Sequence, residues 1–316
     1  MGLQTITADI LMQKNISAPK MIMPGILPVG LTIFAGRPKL GKSWWALNAA
    51  VSVASGSHFL GQEIDAGDAL YLALEDTEQR LQGRLQLMLD GAAAPARLHL
   101  ATSCPALDRG GARDISAWVK KASAPKVVIV DVLQKVRPED KGARAYDNDY
   151  GAVTPLKRIA DEYGVAVIAI THTRKADPGL DPLDAISATT GLAGAADHNL
   201  ILDRGSDGLI LYGRGRDVEE FKLALAHDGS TGKFNLLGDP EAVHRSGTRS
   251  RILSALPNNG DAIGPKEIAE RAALPEANVK QALKRMLPKG EVTKRGRGAY
   301  ARPITFVSNV TPHLPS

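Results

Sequence analysis

The sequence has little cysteine, few aromatic residues and no long apolar run. Cys104 is the single cysteine among 316 residues, so no disulfide can form within the chain and no thiolate cluster can bind a metal. No apolar stretch approaches the roughly 20 residues that cross a bilayer, and the first residues lack the apolar core of a secretion signal. These absences exclude disulfide-stapled and membrane-spanning classes and predict a globular, cytoplasmic protein.

The net charge of +5 is distributed unevenly along the chain. Residues 245–303 contain 13 lysines and arginines against five acidic residues, a net of +8. The rest of the chain contains 26 basic and 29 acidic residues, a net of −3. This asymmetry predicts a module that faces nucleic acid, attached to a nearly neutral catalytic body.

The clearest motif is a full match to the phosphate-binding P-loop, between an apolar strand-like run at 31–35 and a helix-forming run at 43–51. Its backbone amides and the first helical turn are expected to surround the phosphates of a nucleotide, with Lys42 on the β- and γ-phosphates and the Ser43 hydroxyl on Mg²⁺. The predicted nucleotide contacts are Gly36, Arg37, Pro38, Lys39, Leu40, Gly41, Lys42, Ser43 and Trp44.

Two further apolar strands end in acidic residues. Asp131 follows the run 127–130, a Walker B pattern in which the carboxylate would hold Mg²⁺. Glu75 and Asp76 follow the run 70–74, and a carboxylate there could accept a proton from an attacking water. Glu75 is the better candidate because it follows the strand directly, whereas Asp76 is expected to cap a helix beginning near Thr77. The alternative is that these acids are only helix caps or solvated residues.

A third apolar run, 165–170, ends in Thr171 and His172. His172 could sense the γ-phosphate or relay its presence to the loop that follows. The alternative is a histidine that is only hydrogen-bonded within the structure.

Apolar runs alternate with helical stretches from residue 31 to about residue 237. Most of the first six predicted strands lack period-two alternation, which is typical of a parallel sheet covered by helices on both faces. Three closely spaced strands then predict an antiparallel edge. The predicted strands are Leu31–Ala35, Ala69–Leu74, Arg97–Ala101, Lys126–Asp131, Val165–Thr171, His198–Leu202, Leu209–Gly213, Phe221–Ala226 and Lys233–Leu237.

These motifs together resemble the RecA-like ring ATPases, in particular the group of plasmid RepA-type and DnaB-type replicative helicases with related phage and mobile-element ATPases. The resemblance covers about residues 20–240 and rests on the P-loop, Glu75, Asp131 and the stretch Thr171-His172-Thr173-Arg174-Lys175. It implies an α/β, RecA-like P-loop core with a mostly parallel sheet and antiparallel edge strands. It also implies ATP and Mg²⁺ as ligands and a hexameric ring that acts on DNA as a helicase or translocase in replication.

In such rings a neighbouring subunit donates a basic finger from the late antiparallel strands. Arg214 and Arg216 occupy that place here, and Arg204 is the second choice; a planar guanidinium suits charge that develops on a transferring phosphoryl group. The alternative is a solvated hairpin. The resemblance also places the stretches 134–150 and 174–190 in the central channel, where Arg174 and Lys175 would contact single-stranded DNA, although the first stretch has nearly balanced charge.

The C-terminal segment resembles a winged helix-turn-helix. We expect a lead-in at 1–29, the ATPase domain at 30–240, a linker at 239–246, the winged helix at 247–303 and a flexible tail at 304–316. The third helix places Val279, Ala282, Leu283 and Met286 on one apolar stripe. The predicted contacts to duplex DNA are Lys280, Gln281, Lys284 and Arg285 on that helix and Lys294, Arg295 and Arg297 on the wing. Winged helices also serve as protein–protein modules, which stays open.

Three functions fit these patterns. The first is an ATP-hydrolysing, ring-forming DNA helicase or translocase. The second is a DNA-binding regulator or initiator in which ATP only switches assembly. The third is a recombinase-type filament, although the short lead-in shows no obvious polymerisation segment.

Overall fold

The computed structural model describes residues 3, 5–16, 19–139, 145–173, 190–205, 208–257, 261–296 and 298–303. The chain divides into two compact units, Met1–Leu237 and Gly238–Ser316. The helices are α1 (Ala8–Gln13), α2 (Lys42–Ser55), α3 (Glu78–Leu89), α4 (Gly111–Lys121), α5 (Ala145–Tyr163), α6 (Thr190–Ala195), α7 (Pro240–Ala255), α8 (Pro265–Ala272) and α9 (Glu276–Met286). None of the described helices is long and apolar enough to cross a membrane.

The strands are β1 (Met21–Met23), β2 (Leu27–Pro28), β3 (Gly30–Gly36), β4 (His58–Phe59), β5 (Gln62–Glu63), β6 (Asp68–Ala73), β7 (Leu98–Ala101), β8 (Pro125–Asp131), β9 (Ala166–Ile170), β10 (His198–Gly205), β11 (Gly208–Gly215), β12 (Phe221–Asp228), β13 (Lys233–Gly238), β14 (Thr293–Arg295) and β15 (Ala299–Ala301). Nine of them form one sheet in the order β13-β12-β11-β10-β3-β9-β8-β6-β7. The strands from β10 to β7 are parallel, and β10, β11 and β12 pair antiparallel. The predicted mostly parallel sheet with an antiparallel edge is confirmed.

Strand β8 shows why the central strands are apolar on both faces. Val127 and Ile129 join a core cluster with Trp45 of α2, whereas Val128 and Val130 join a separate cluster beneath α4 and α5. Because successive side chains of a strand point to opposite faces, a strand between two helical layers needs apolar residues at every position. The central strands are therefore mostly apolar, and Asp131 and Thr171 lie at or just after strand ends.

The register brings the carboxyl ends of four strands to one edge. Phe34 of β3 pairs with Ile170 of β9, and Ala73 of β6 pairs with Asp131 of β8. The ends of these neighbouring strands therefore position the P-loop, Glu75, Asp131 and His172.

The predicted lead-in contains structure that the sequence analysis did not anticipate. The hairpin β1–β2 buries Met23 and Leu27 against the same core cluster as α2. Helix α1, in contrast, has no buried residue, and Ile10 and Met12 are 50% and 84% exposed.

The second unit is built from α7, α8, α9 and the hairpin β14–β15, and Ile263 forms an isolated antiparallel bridge to Tyr300. Its own core contains the predicted stripe of Val279, Leu283 and Met286, with Ala282 partly buried beside them. The predicted linker at 239–246 is wrong, since α7 already begins at Pro240. The Asp239 carboxylate accepts a hydrogen bond from the Ala242 amide, and Pro240 occupies the first turn, where its missing N–H costs nothing.

Candidate nucleotide-binding site

The P-loop connects β3 to α2 through two glycines that no other residue could replace without strain. A Cβ on Gly36 would lie 2.3 Å from the carbonyl oxygen of Leu202 in the neighbouring strand. Gly41 precedes α2 with φ +97°, and a Cβ there would lie 3.1 Å from the Phe234 ring. The two glycines therefore let the loop pass close to its neighbours, and the free N–H groups in the first turn of α2 can bind an anion.

Lys42 is buried at the start of α2, with 5% of its surface exposed. Its Nζ donates hydrogen bonds to the carbonyl oxygens of Gly36 at 2.7 Å and Arg37 at 2.9 Å. Burial lowers the pKa of Lys42 to about 8, against the opposing influence of Asp131 and Glu75. The ammonium group is thus desolvated and folded back over the loop, which leaves it ready to exchange carbonyl partners for phosphate oxygens.

Asp131 ends β8 and is buried, with 4% of its surface exposed. Burial raises its pKa, whereas hydrogen bonds from Tyr71 and Ser43 oppose that rise because they favour the carboxylate. The Tyr71 hydroxyl lies 2.6 Å from Asp131 Oδ2 and 3.2 Å from the Ser43 carbonyl oxygen. Tyr71 therefore ties the Walker B strand to the P-loop helix.

Sequence reasoning missed Tyr71, which sits within β6 as one apolar-looking residue among others. It is fully buried, and burial raises its pKa well above the ordinary value, so the phenol stays protonated and donates. The residue type could have indicated this role, because a tyrosine inside a fully buried strand needs a hydrogen-bond partner. Asp131, at the end of another predicted strand, was a candidate partner.

Glu75 and Asp76 have different surroundings. The Glu75 side chain is exposed and lines the site cavity. Asp76 instead lies 2.5 Å from Arg84 Nη1 and 3.4 Å from Arg80 Nε. The expectation that Asp76 caps α3 is wrong, because the Thr77 hydroxyl accepts from the Arg80 amide and is the cap.

His172 follows β9 and reaches the P-loop lysine. Its Nδ1 lies 3.2 Å from Lys42 Nζ. Burial, and then the charge of Lys42, lower the pKa of His172, so the neutral ring accepts a hydrogen bond from the ammonium group. The neighbouring Thr171 hydroxyl accepts from the Gln134 amide at 2.7 Å, which joins the segments after β8 and β9.

These groups surround a cavity of about 700 Å³. Its lining includes most of the predicted nucleotide and catalytic residues, namely Lys39, Leu40, Gly41, Lys42, Ser43, Trp44, Glu75, Asp131 and His172. Of the predicted P-loop contacts, Gly36 and Arg37 present carbonyls to Lys42, Arg37 lies 3.9 Å from Asp203, and Pro38 is exposed. On the far wall Trp44 packs under the Arg84 guanidinium at 5.1 Å and beside His227 at 5.8 Å.

The residues fit a magnesium ion that binds together with phosphate. Ser43 and Asp131 supply a hydroxyl and a buried carboxylate next to Lys42, and both are hard oxygen ligands. Among the described residues no group of three or more histidine, cysteine, aspartate or glutamate side chains could hold a metal alone. Such a sparse donor set is typical of Mg²⁺, which keeps waters and takes further oxygens from a nucleotide.

The three candidates for the arginine finger differ in their position relative to the cavity. Strand β11 runs away from the P-loop, with Leu211 opposite Leu202 and Arg214 opposite Asn199. Arg214 donates twice to Glu220, at 2.9 and 2.7 Å, and Arg216 lies 3.8 Å from Asp197. Neither belongs to the described residues that line the cavity, whereas the second choice, Arg204, does.

The candidate DNA contacts are partly described. Arg174, Lys175 and Arg297 lie outside the described residues. Lys280 pairs with Glu276 at 2.7 Å. The others are exposed on α9 or β14: Gln281, Lys284, Arg285, Lys294 and Arg295.

Comparison with known proteins places this site in a family. The family model described as AAA domain matches residues 3–178, more than half of the chain. No curated protein matches the sequence. Among solved structures, one described as an ATPase domain aligns at 17% identity and a TM-score of 0.53, over 66% of this chain and 85% of that one. A DnaB-like replicative helicase, described with its interactions with primase, aligns at 17% identity and a TM-score of 0.52, over 70% of this chain and 63% of that one.

Identities this low speak to the fold alone, and the chain spans less than two thirds of the DnaB-like helicase chain. The family match carries the assignment further, because it includes the P-loop, Glu75, Asp131 and His172. The chain belongs to the AAA domain family, and its fold is the RecA-like fold of helicase ATPase domains.

Proposed function

We propose that this protein is an ATP-hydrolysing, ring-forming DNA helicase or translocase of the replicative type, from a plasmid, phage or mobile element. The observation that carries the proposal is the convergence of Lys42, Asp131 and Glu75 on one cavity beside the P-loop. Binding alone would need only the lysine and the loop amides. The exposed carboxylate of Glu75 on the same cavity supplies the base that hydrolysis requires.

In the proposed reaction Lys42 leaves the two loop carbonyls and binds the β- and γ-phosphates. The Glu75 carboxylate takes the proton of a water whose oxygen attacks the γ-phosphorus, and the bond to the ADP oxygen breaks. Bound Mg²⁺, held by Ser43 and Asp131, would neutralise charge on the phosphates. His172 loses its Lys42 partner when ATP binds, which would pass the state of the site to the segment after β9.

The arginine positions support a site shared between subunits. Arg214 and Arg216 are absent from the described lining of their own chain's cavity, so a role in catalysis requires a second copy. In a closed ring each subunit presents its site to one neighbour and a different surface to the other. We assign the finger to Arg214 or Arg216, with Arg204 acting within its own subunit.

The second unit supplies the proposed duplex contact. Its order of helix, short bridge, two helices and hairpin supports a winged-helix assignment, in which α9 would be the recognition helix and β14–β15 the wing. The net charge of +8 over residues 245–303 favours nucleic acid over a protein partner. Single-stranded DNA would pass through the ring.

The test measures ATP hydrolysis with and without single-stranded DNA, unwinding of a forked duplex, and particle shape with a nonhydrolysable ATP analogue. We expect closed rings, hydrolysis stimulated by DNA, and unwinding that depends on ATP. Nucleotide binding without unwinding would indicate the regulator or initiator. Open helical polymers on single-stranded DNA would indicate the recombinase-type filament. No response to ATP would refute the proposal.

A further inference from the structure

A groove of about 570 Å³ separates the first turns of α7 from one side of α9 in the second unit. Its rim is basic, with Arg245 and Arg249 on α7, Arg285 on α9 and Lys289 just after it. We infer that this groove binds the sugar-phosphate backbone of double-stranded DNA. The inference deepens the proposed function and rests only on its DNA-binding half.

The groove exists because α7 is longer than the core it packs on. Thr248 and Ile252 are buried on one stripe of α7. Arg245 continues that stripe two turns before Ile252, yet it is exposed. A helical face that is buried at one end and basic at the other forms one wall of an open groove.

Other arginines of this unit have structural partners. Arg251 donates to the carbonyl oxygens of Ala272 and Ala273 at the end of α8, at 3.0 and 2.6 Å. Arg302 donates to the Leu253 carbonyl at 2.6 Å. These two arginines stabilise the fold through hydrogen bonds to backbone carbonyls, and we assign them no role in ligand binding.

Few carboxylates offset the positive charge of the groove. Glu291 is the one carboxylate among the described residues that line it, and it pairs with Arg249 at 2.8 Å. Arg245 bonds a backbone carbonyl through Nε, which neutralises no charge. Four cations against one carboxylate leave the groove with a net of about +3, which is suited to a phosphate chain.

The two sides of α9 indicate a duplex. Gln281 and Arg285 lie one turn apart and line the groove, whereas Lys280 does not line it and pairs with Glu276. Asn278 and Gln281 add side-chain amides that can donate hydrogen bonds to phosphate oxygens. A helix in the major groove has a phosphate backbone running beside it, and the basic groove lies along α9 where that backbone would pass.

The experiment measures binding of the full chain to a labelled duplex by fluorescence anisotropy at several salt concentrations. For the double variant Arg245→Ala/Arg285→Ala we expect weaker binding and a salt slope smaller by about 1.8, or about 0.9 for each lost phosphate contact. Arg245→Lys/Arg285→Lys should restore the slope, because lysine keeps the charge. ATP hydrolysis without DNA should be unchanged.

The matched control is Arg113→Ala/Arg271→Ala, which removes two exposed, ion-paired arginines outside the groove and changes the net charge equally. A slope that is unchanged in the groove variant, or equally reduced in the control, would overturn the inference. So would wild-type binding to single-stranded but not double-stranded DNA. Loss of the slope in a protein that ignores ATP would leave the groove standing and refute the helicase proposal instead.

Discussion

The two units of this molecule use charge in opposite ways. In the larger unit Lys42 and Asp131 are almost completely buried, and each is fixed by hydrogen bonds of defined length. In the smaller unit Arg245 and Arg285 are exposed on a groove rim and supply charge with little fixed geometry.

This difference indicates how each unit responds to change. A buried charge that loses its partner costs the full desolvation penalty, so substitutions in the nucleotide site should have sharp, local effects. Exposed cations act on a phosphate chain roughly additively, so substitutions in the basic groove should have graded effects that salt can mimic.

The largest expected effect is that of Lys42→Ala. The variant loses charge-assisted hydrogen bonds to phosphate of about 1.5–3 kcal/mol each, so ATP affinity should fall by about 100-fold or more. Calorimetric titration with ATP measures the loss, and duplex affinity of the same sample is the internal control. Unchanged ATP affinity would remove the P-loop assignment, and a parallel loss of duplex binding would show that the duplex contact depends on the nucleotide site.

Glu75→Gln should bind ATP normally and hydrolyse it about 10²–10⁴-fold more slowly, because the amide cannot accept the proton. Single-turnover hydrolysis measures the effect. The matched control is Asp76→Asn, which weakens the ion pairs to Arg80 and Arg84 and should lower stability by about 1–3 kcal/mol while sparing the chemical step. Retained turnover in Glu75→Gln would assign the base to another carboxylate.

Tyr71→Phe removes one oxygen from a fully buried ring and leaves Asp131 without its 2.6 Å hydrogen bond. We expect a loss of about 1.5–3 kcal/mol in the free energy of unfolding, measured with urea. The Mg²⁺ concentration that supports half-maximal hydrolysis should also rise. Wild-type values of both quantities would show that the hydroxyl does not position Asp131.

The smallest expected effect is that of Asp239→Ala at the start of α7. Loss of the cap to the Ala242 amide should destabilise the second unit by about 1 kcal/mol. Asp239→Asn, which keeps an accepting oxygen, is the matched control. Thermal unfolding measures both, and ATP binding should not change; equal stability of the alanine variant and the wild type would contradict the cap.

Central strands buried on both faces are mostly apolar, and the late edge strands are closely spaced between turns, so the sequence predicted every strand of the large sheet. It also predicted the four strand ends that meet at the site. It did not reveal which neighbours the polar groups would choose: Tyr71 of β6 finds Asp131 of β8, and Asp76 finds arginines on the next helix. Such partners depend on register and rotamer, which local patterns do not encode.

The beginning of α7 could have been predicted. Asp239 followed by Pro240 is a helix-start signal, whereas the linker interpretation took Pro240 and the nearby Gly247 as signs of a loop. The hairpin β1–β2 is harder, since its strands of three and two residues are too short for a periodic pattern.

Arg214 and Arg216 are absent from the described lining of their own chain's cavity, which has a consequence for mixtures of inactive variants. If each site takes its arginine from a neighbouring subunit, an inactive Lys42 variant still has an intact arginine finger. An inactive arginine-finger variant likewise still has an intact P-loop. Mixing the two inactive variants would form some subunit interfaces that combine an intact P-loop with an intact arginine finger. ATP hydrolysis would therefore reappear in the mixture. The specific activity of the unaltered protein would likewise climb with its concentration, as copies find one another.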